Sequence, residues 1–333
     1  MVTLRNISIA GTGKYLPSNV VHSSSLDIKL NQSPGSVEKK SGIQYRHFID
    51  KPYETTSYMA TQAALEALKR AGIEASQLDC IIGACGVQEQ LIPSTASLVH
   101  KQLGLEDSGI PAFDINSTCT SFLTALDMAS YAMALDRFKR VLIFSSDISS
   151  AGLDWENFES SLIFGDGAAA VVLEVDNNKK GILASYQQTF SKGNNYCKIE
   201  AGGTKLSPSN FNGVGKKESL FQMDGKASFK LISLVIDEFI DKLFSQTRIS
   251  LQDIDCLIPH QASLLALHHI RKRLGIPPEK LMEIYPTHGN QVAASLPTAL
   301  HEAIIQNKLH RGDTMLLLGT GAGISINGII MEY

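Results

Sequence analysis

The sequence predicts an α/β protein built from two similar halves, roughly residues 1–175 and 176–333. Three observations carry that expectation. Short apolar, strand-like runs alternate with helix-patterned runs along the chain. Residues 116–126 lie against residues 290–300 at a shift of 174, with Asn, Ser and a Thr-Ala-Leu triplet coinciding. Residues 73–82 match 249–258 at a shift of 176, and 140–144 match 314–318 at 174, in the same order. The turn-rich stretch from Asp176 to Gly181 is the joint between the halves.

Composition narrows the function classes. At 333 residues the chain is longer than one core usually supports, so two core units are expected. Hydrophobic residues make up 44% and charged residues 19%, ordinary for a well-packed soluble protein. A formal net charge of −3 argues against nucleic acid or an anionic membrane as the main partner. The five cysteines (Cys80, Cys85, Cys119, Cys197 and Cys256) include no C-x-x-C pair. They fit a reducing compartment better than a disulfide framework or a zinc site. Met1-Val2-Thr3-Leu4-Arg5-Asn6 has no secretory pattern, and no apolar run approaches membrane-spanning length. A cytoplasmic location is the expectation.

Residues 2–10 alternate like a strand and end at Gly11-Thr12-Gly13, a turn by composition. Residues 23–42 are polar and hold Pro34-Gly35, the pattern of a loop or short helix. Residues 58–71 are a helix by period, with Met59, Ala63, Leu65 and Leu68 on one face and Thr55-Thr56-Ser57 as cap candidates. A buried strand follows at 79–85 and another helix at 94–104. The strand-like run 110–115 stops at small polar residues, and a helix pattern then carries Leu123, Leu126 and Met128 on to Leu135. Residues 141–144 are a strand, and 145–160 a polar loop holding the single tryptophan, Trp155. Phe164-Gly165-Asp166-Gly167-Ala168 is a turn feeding a small-residue strand, which implies close backbone packing.

The second half opens with a strand at 182–186. The Gly-, Asn- and Lys-rich excursion 191–217 is long enough for a functional loop or flap. An amphipathic helix spans 226–244, and a closing strand runs into Gly319-Thr320-Gly321-Ala322-Gly323. That loop lacks the Gly-Lys-Ser/Thr of a phosphate loop and the acidic residue of a dinucleotide site.

Three polar residues stand where chemistry is possible. Cys119 sits at a strand-to-helix turn, where free backbone N–H groups and the positive helix end favour a thiolate. On position alone it is either a nucleophile or a buried structural cysteine. His260, in Pro259-His260-Gln261-Ala262, follows a buried strand, a place that also suits a hydrogen-bonded core histidine. Asn290 begins the helix that the repeat lays over the Cys119 turn, and by itself is equally an N-cap. If the halves pack about a two-fold axis, thiol, imidazole and carboxamide meet near the centre.

The segments Asp114-Ile115-Asn116-x-x-Cys119, Phe164-Gly165-Asp166-Gly167-Ala168, Pro259-His260-Gln261-Ala262 and Gly289-Asn290-x-x-Ala293-Ala294-Ser295 occur in the order found in β-ketoacyl-acyl-carrier-protein synthase III. The resemblance runs over essentially the whole chain. It implies a thiolase-like five-layer αβαβα fold, a homodimer and a Cys119–His260–Asn290 triad. Further implied are an oxyanion hole from the backbone N–H groups of Cys119 and the Gly321-Ala322-Gly323 loop, acyl-carrier protein or coenzyme A thioesters as substrates, and no metal or redox cofactor. Acyl transfer to Cys119 followed by decarboxylative condensation with a malonyl or β-ketoacyl thioester is the implied reaction. Transfer of the acyl group to an alcohol or amine is the alternative within the fold. A non-catalytic partner subunit is the alternative from another class.

The chain departs from that family where coenzyme A enters. Residues 23–40 contain no tryptophan, the usual Arg-Thr-Gly-Ile appears as Lys40-Ser41-Gly42-Ile43, and a second nucleotide-contacting arginine falls near Phe158. Lysine cannot reproduce the planar stacking of arginine, which argues against acetyl-CoA as the starter. Ile92 replaces a bulky Phe that reaches the partner's acyl pocket, leaving room for a longer or branched chain. Ser117-Thr118-Cys119-Thr120-Ser121 stands where relatives carry Ala and Gly. Arg271, Lys272 and Arg273 are either a docking patch for an acidic carrier protein or a solvated helix face.

Overall fold

The computed structural model describes residues 5–176, 178, 181–207 and 216–333. Residues 1–4, part of the 176–181 joint and residues 208–215 of the glycine-rich excursion lie outside them. The strands are β1 (Ile7–Tyr15), β2 (Asn19–His22), β3 (Tyr45–Phe48), β4 (Cys80–Gly83), β5 (Ala112–Asp114), β6 (Arg140–Asp147) and β7 (Gly167–Val175). They continue with β8 (Ile182–Thr189), β9 (Cys197–Lys198), β10 (Gln222–Met223), β11 (Cys256–Pro259), β12 (Thr314–Gly321) and β13 (Ser325–Glu332). One sheet has the order β1-β7-β6-β4-β5, and a second has β8-β13-β12-β11. The two orders correspond strand for strand except at β5, whose place in the second sheet is held by a single bridge between Leu257 and Leu281.

Side-chain alternation on these strands produces the layers. On β6, Val141 and Ile143 enter an inner core while Leu142 and Phe144 enter an outer one. On β12, Met315 and Leu317 join the same inner core, and Leu316 and Leu318 face the opposite outer one. Both faces of these strands are buried, so the sequence shows continuous apolar runs rather than alternation. The helices Ser121–Ala134 and Ser295–Ile305 fill the inner core through Phe122, Leu126 and Leu300 among others. The helices Thr56–Ala71 and Thr95–Gln102 cover the first sheet from outside. Gly225–Phe244 and Leu264–Arg273 cover the second. The stack is helix, sheet, helix, sheet, helix.

The repeat extends to hydrogen bonds. Ala75–Gln77 and Leu251–Asp253 are short helical turns, each closed by a capping box. Asp79 N–H then donates to Arg140 O at 2.9 Å, and Asp255 N–H to Thr314 O at 2.8 Å.

Two expectations change and a third is narrowed. Gly11-Thr12-Gly13 is not a turn but the middle of β1. A Cβ at Gly11 would stand 2.2 Å from Ala67 O, and one at Gly13 2.2 Å from Ala63 O, so these glycines let the helix Thr56–Ala71 lie directly on the strand. Residues 23–42 form two short helices, Ser23–Lys29 and Ser36–Ser41. β6 runs on to Asp147, so the polar Ser145 and Ser146 are buried strand residues rather than loop. Among the described residues, no helix is long and apolar enough to cross a membrane.

Gly11→Ala should destabilise the protein by about 1–3 kcal/mol through overpacking. Gly203→Ala, with nothing within 4 Å of the added carbon, should change little. Thermal denaturation of the two variants tests the close-approach account, and equal midpoints would refute it.

Candidate active site

Both halves carry the same device between a strand-like segment and an inner helix. In the first, Asn116 Oδ1 accepts from Thr118 N–H at 2.9 Å, and Ser117 N–H donates to Ser121 Oγ at 2.9 Å. In the second, Asn290 Oδ1 accepts from Val292 N–H at 2.9 Å, and Gln291 N–H donates to Ser295 Oγ at 2.8 Å. Thr118 (φ 55°) and Val292 (φ 54°) occupy equivalent left-handed positions. Such a backbone is strained for a β-branched residue and persists only where the surroundings over-determine it. Tight turns follow, Thr118–Thr120 and Val292–Ala294, and then the inner helices. The two turns pack on one another, and the first also packs on β12.

The strand ends make the halves unequal. Asp147 closes β6 and Gly321 closes β12, at the same shift of 174. One Asp147 oxygen accepts from Gly86 N–H at 2.8 Å and Val87 N–H at 3.0 Å, and the other from Ala294 N–H at 3.1 Å. The helix start of the second half therefore already holds a carboxyl group from within the protein. In the first half the equivalent residue has no side chain, and a Cβ on Gly321 would stand only 2.6 Å from Thr118 Oγ1. The free N–H groups at Cys119 are left available for charge arriving from outside.

Burial pushes the Cys119 thiol up to about 12, and buried Asp147 adds to the rise. The N–H groups of Ala322 and of Cys119 itself pull the other way without prevailing. The resting group is thus a thiol. The thiolate expected from the helix end alone gives way to the cost of burying charge. Asp147 is itself raised to about 7 by burial, against the N–H groups of Val87, Gly86 and Ala294.

His260 is 6% exposed, and its backbone N–H donates to Leu318 O on β12 at 2.8 Å. Burial lowers its imidazole to about 4, so the ring is neutral at physiological pH, and its buried Nδ1 has no partner among the described residues. Asn290 has its Oδ1 occupied by Val292 N–H and the Ser295 hydroxyl, at 2.9 and 3.3 Å. Its NH2 group makes no hydrogen bond among the described residues, whereas Asn116, its counterpart, donates to Gly86 O at 3.4 Å. Asn290 is accordingly oriented as a donor. An apolar groove opens beside His260, walled by Phe229, Ile232, Ala266, Ile270 and Leu318 together with Thr320, and neither Cys119 nor Asn290 lines it.

The other anticipated residues fall outside that groove. Ala322 and Gly323 lie in the β12–β13 connection, where the Ala322 N–H favours the ionised Cys119 sulfur and Gly323 stands at φ 78°. Ile92 is 85% exposed. Phe158 packs with Leu26, Val37, Leu162 and Trp155, and Lys40 Nζ lies 5.4 Å from its ring centroid. Arg273 holds Asp237 through two bonds of 2.5 and 2.6 Å, and Arg271 donates to Ile276 O at 3.0 Å. Two of the three basic residues thus do local structural work, and Lys272 is exposed.

Sequence inspection overlooks Asp147. Extending the 174-residue comparison three residues beyond Phe144 sets it opposite Gly321, and that is the signal that could have found it. Also missed is the role of Trp155, over whose ring Lys29 Nζ stands at 4.4 Å.

Two family models match the chain: 3-oxoacyl-[acyl-carrier-protein (ACP)] synthase III over residues 113–191, and 3-oxoacyl-[acyl-carrier-protein (ACP)] synthase III C terminal over residues 244–333. A β-ketoacyl-[acyl-carrier-protein] synthase III of Syntrophomonas wolfei is 34% identical over 98% of this chain and 97% of its own length. The crystal structure of 3-oxoacyl-[acyl-carrier-protein] synthase III from Aquifex aeolicus superposes with a TM-score of 0.88 at 32% identity, covering 98% of this chain and 100% of that one. A crystal structure of a Xanthomonas campestris OleA variant, at 22% identity, shares the fold with a TM-score of 0.85 over 99% of both chains.

With the thiol held up to about 12, alkylation of Cys119 by iodoacetamide in the free protein should be slow at pH 7. It should rise about tenfold per pH unit to about pH 10, because only the thiolate reacts. Peptide mass spectrometry reads the rate, and a plateau below about pH 8 would mean that the helix end outweighs burial.

Proposed function

Because the chain belongs to the 3-oxoacyl-[acyl-carrier-protein] synthase III family, we propose that it condenses an acyl group held on Cys119 with a malonyl or β-ketoacyl thioester. The observation that carries this reading is the open first-half helix start, with Cys119 in the turn and no side chain on the facing Gly321. In the first stage the Cys119 sulfur bonds to the thioester carbonyl carbon. The carrier's C–S bond breaks, and the departing thiol keeps the proton lost by Cys119. The oxyanion formed on the way is met by the N–H groups of Cys119 and Ala322.

In the second stage the malonyl carboxylate leaves as CO₂, and its C–C electron pair becomes an enolate. His260 and the Asn290 NH2 donate to the enolate oxygen, and neutral donors suit that role because a carboxylate there would repel the charge. The enolate carbon attacks the acyl carbon, the C–Sγ bond breaks with its electron pair going to sulfur, and the Cys119 thiolate takes a proton from water. No metal or redox cofactor enters this scheme.

The proposal extends to partners. An acyl-carrier protein or coenzyme A delivers the thioester. The free edge of β5, with Phe113 exposed on it, suits pairing with a second copy in a homodimer. Residues 1–175 supply the nucleophile, and residues 176–333 the imidazole and carboxamide. Five free cysteines fit a reducing cytoplasm.

Cys119→Ala should abolish acyl loading, as read by intact-protein mass. His260→Ala and Asn290→Ala should still load while losing about 100-fold or more in CO₂ release from malonyl-carrier protein. Loading that survives in Cys119→Ala would refute the proposal. CO₂ release unchanged in both other variants would remove the roles given to them.

A further inference from the structure

The Cys119 turn and the Asn290 turn belong to different halves, and the short segment Cys85-Gly86-Val87 after β4 links them. Its carbonyls face the first turn. Asn116 donates from its NH2 to Gly86 O at 3.4 Å, and the Ser121 hydroxyl, 2.6 Å from Thr118 O, also reaches Cys85 O at 3.1 Å. Its N–H groups face Asp147, whose Oδ1 accepts from Gly86 at 2.8 Å and Val87 at 3.0 Å. Asp147 Oδ2 accepts from Ala294 N–H at 3.1 Å, in the turn that follows Asn290. Asn116 and Ser121 bracket Cys119 in sequence, so hydrogen bonds run from the turn of the nucleophile to the turn of the carboxamide through one side chain. The two turns also pack on one another, but packing is non-directional, whereas hydrogen bonds fix distance and angle.

Two features leave this bridge little latitude. Asp147 accepts on both oxygens from different segments, whereas an amide has one acceptor and would turn its NH2 toward N–H donors on the other side. At Gly86 a Cβ would stand 2.4 Å from Val292 Cγ1 and 3.2 Å from Asp147 Oδ1. Val292 is the left-handed residue whose N–H is held by Asn290 Oδ1 at 2.9 Å, so pressure on it passes directly to the carboxamide. We infer that Asp147 and Gly86 are positioning residues for the condensation step: through the Cys85–Val87 segment they set the separation between the Cys119 sulfur and the Asn290 NH2. This rests on the reading in which Asn290 donates to the enolate beside acyl-Cys119. In that reading loading uses the first turn and the β12–β13 connection alone, while condensation needs both turns in register. The bridge therefore governs the second step and spares the first.

The two steps can be timed separately. Wild type and variants are loaded with acetyl-, butanoyl- or octanoyl-coenzyme A, loading is followed by intact-protein mass, and CO₂ release on saturating malonyl-carrier protein is then measured per loaded chain. Counting only loaded chains removes any loss of folded protein. Asp147→Asn should load within about threefold of wild type yet release CO₂ at least about tenfold more slowly, as expected when a reacting group is misplaced rather than unbound. Gly86→Ala should behave alike, and adding Val292→Ala, which removes the methyl group that the new Cβ meets, should recover most of the rate. The Gly86 pair carries the experiment if Asp147→Asn does not fold. Wild-type CO₂ release per loaded chain in the variants, loading and release slowed in equal proportion, or no recovery with Val292→Ala would overturn the bridge while leaving Cys119 as nucleophile. Failure of all three thioesters to load wild-type Cys119 would instead refute the nucleophile assignment, and this inference with it.

Discussion

The carboxylate of Asp147 is the contact on which the centre of the molecule depends. It ends a strand of the first sheet, yet it accepts N–H groups from the loop after β4 and from the helix start of the second half. The Ala294 N–H would otherwise be a buried donor without a partner, at a cost of about 1–3 kcal/mol. The carboxylate is nevertheless pushed up to about 7 by burial, so its bonds do not fully offset the loss of water. Such an arrangement is tolerable where it fixes geometry. Here it fixes the turn that presents Asn290 against the turn that presents Cys119.

The same contact makes the two halves unequal, and leaves open the helix start at which Cys119 is proposed to act. Duplication gives two helix starts with the same Asn brace, the same serine clamp and the same strained residue at positive φ. One is filled from within by Asp147, and the other faces Gly321, which brings no side chain. A two-fold scaffold thereby acquires one structural and one chemical helix start, and the structural one supports the Asn290 turn.

Much of this is legible in the sequence because duplication leaves a directly readable trace. The shift of 174 pairs Asn116 with Asn290 and β6 with β12, and buried strands betray themselves as continuous apolar runs. What cannot be read depends on distant neighbours. Gly11 and Gly13 look like a turn in one dimension, and only the helix lying on β1 shows that they permit close approach. Asp147 has no periodic signature, being one acid in a run of serines. The protonation of Cys119 is misjudged from sequence because the helix end is a local feature, whereas desolvation is set by every element packed around the sulfur. The Lys29–Trp155 and Lys40–Phe158 contacts join segments more than 100 residues apart, so no inspection of residues 23–42 alone could supply them.

Burial favours neutral forms throughout the candidate site. It raises the thiol to about 12 and lowers the imidazole to about 4, so the free protein holds no thiolate–imidazolium pair there. On the proposed chemistry this suits the resting states: a thiol before loading, a neutral thioester afterwards, and a neutral imidazole beside a carboxamide throughout. Charge then develops only during each reaction step. It does so first within reach of the Cys119 and Ala322 N–H groups and then beside the donors of the second half, where preorganised dipoles act most strongly because water is excluded. A site built around a permanent thiolate would bear the desolvation cost continuously. In this arrangement that cost falls on the transition states, where the fixed N–H donors are placed to offset it.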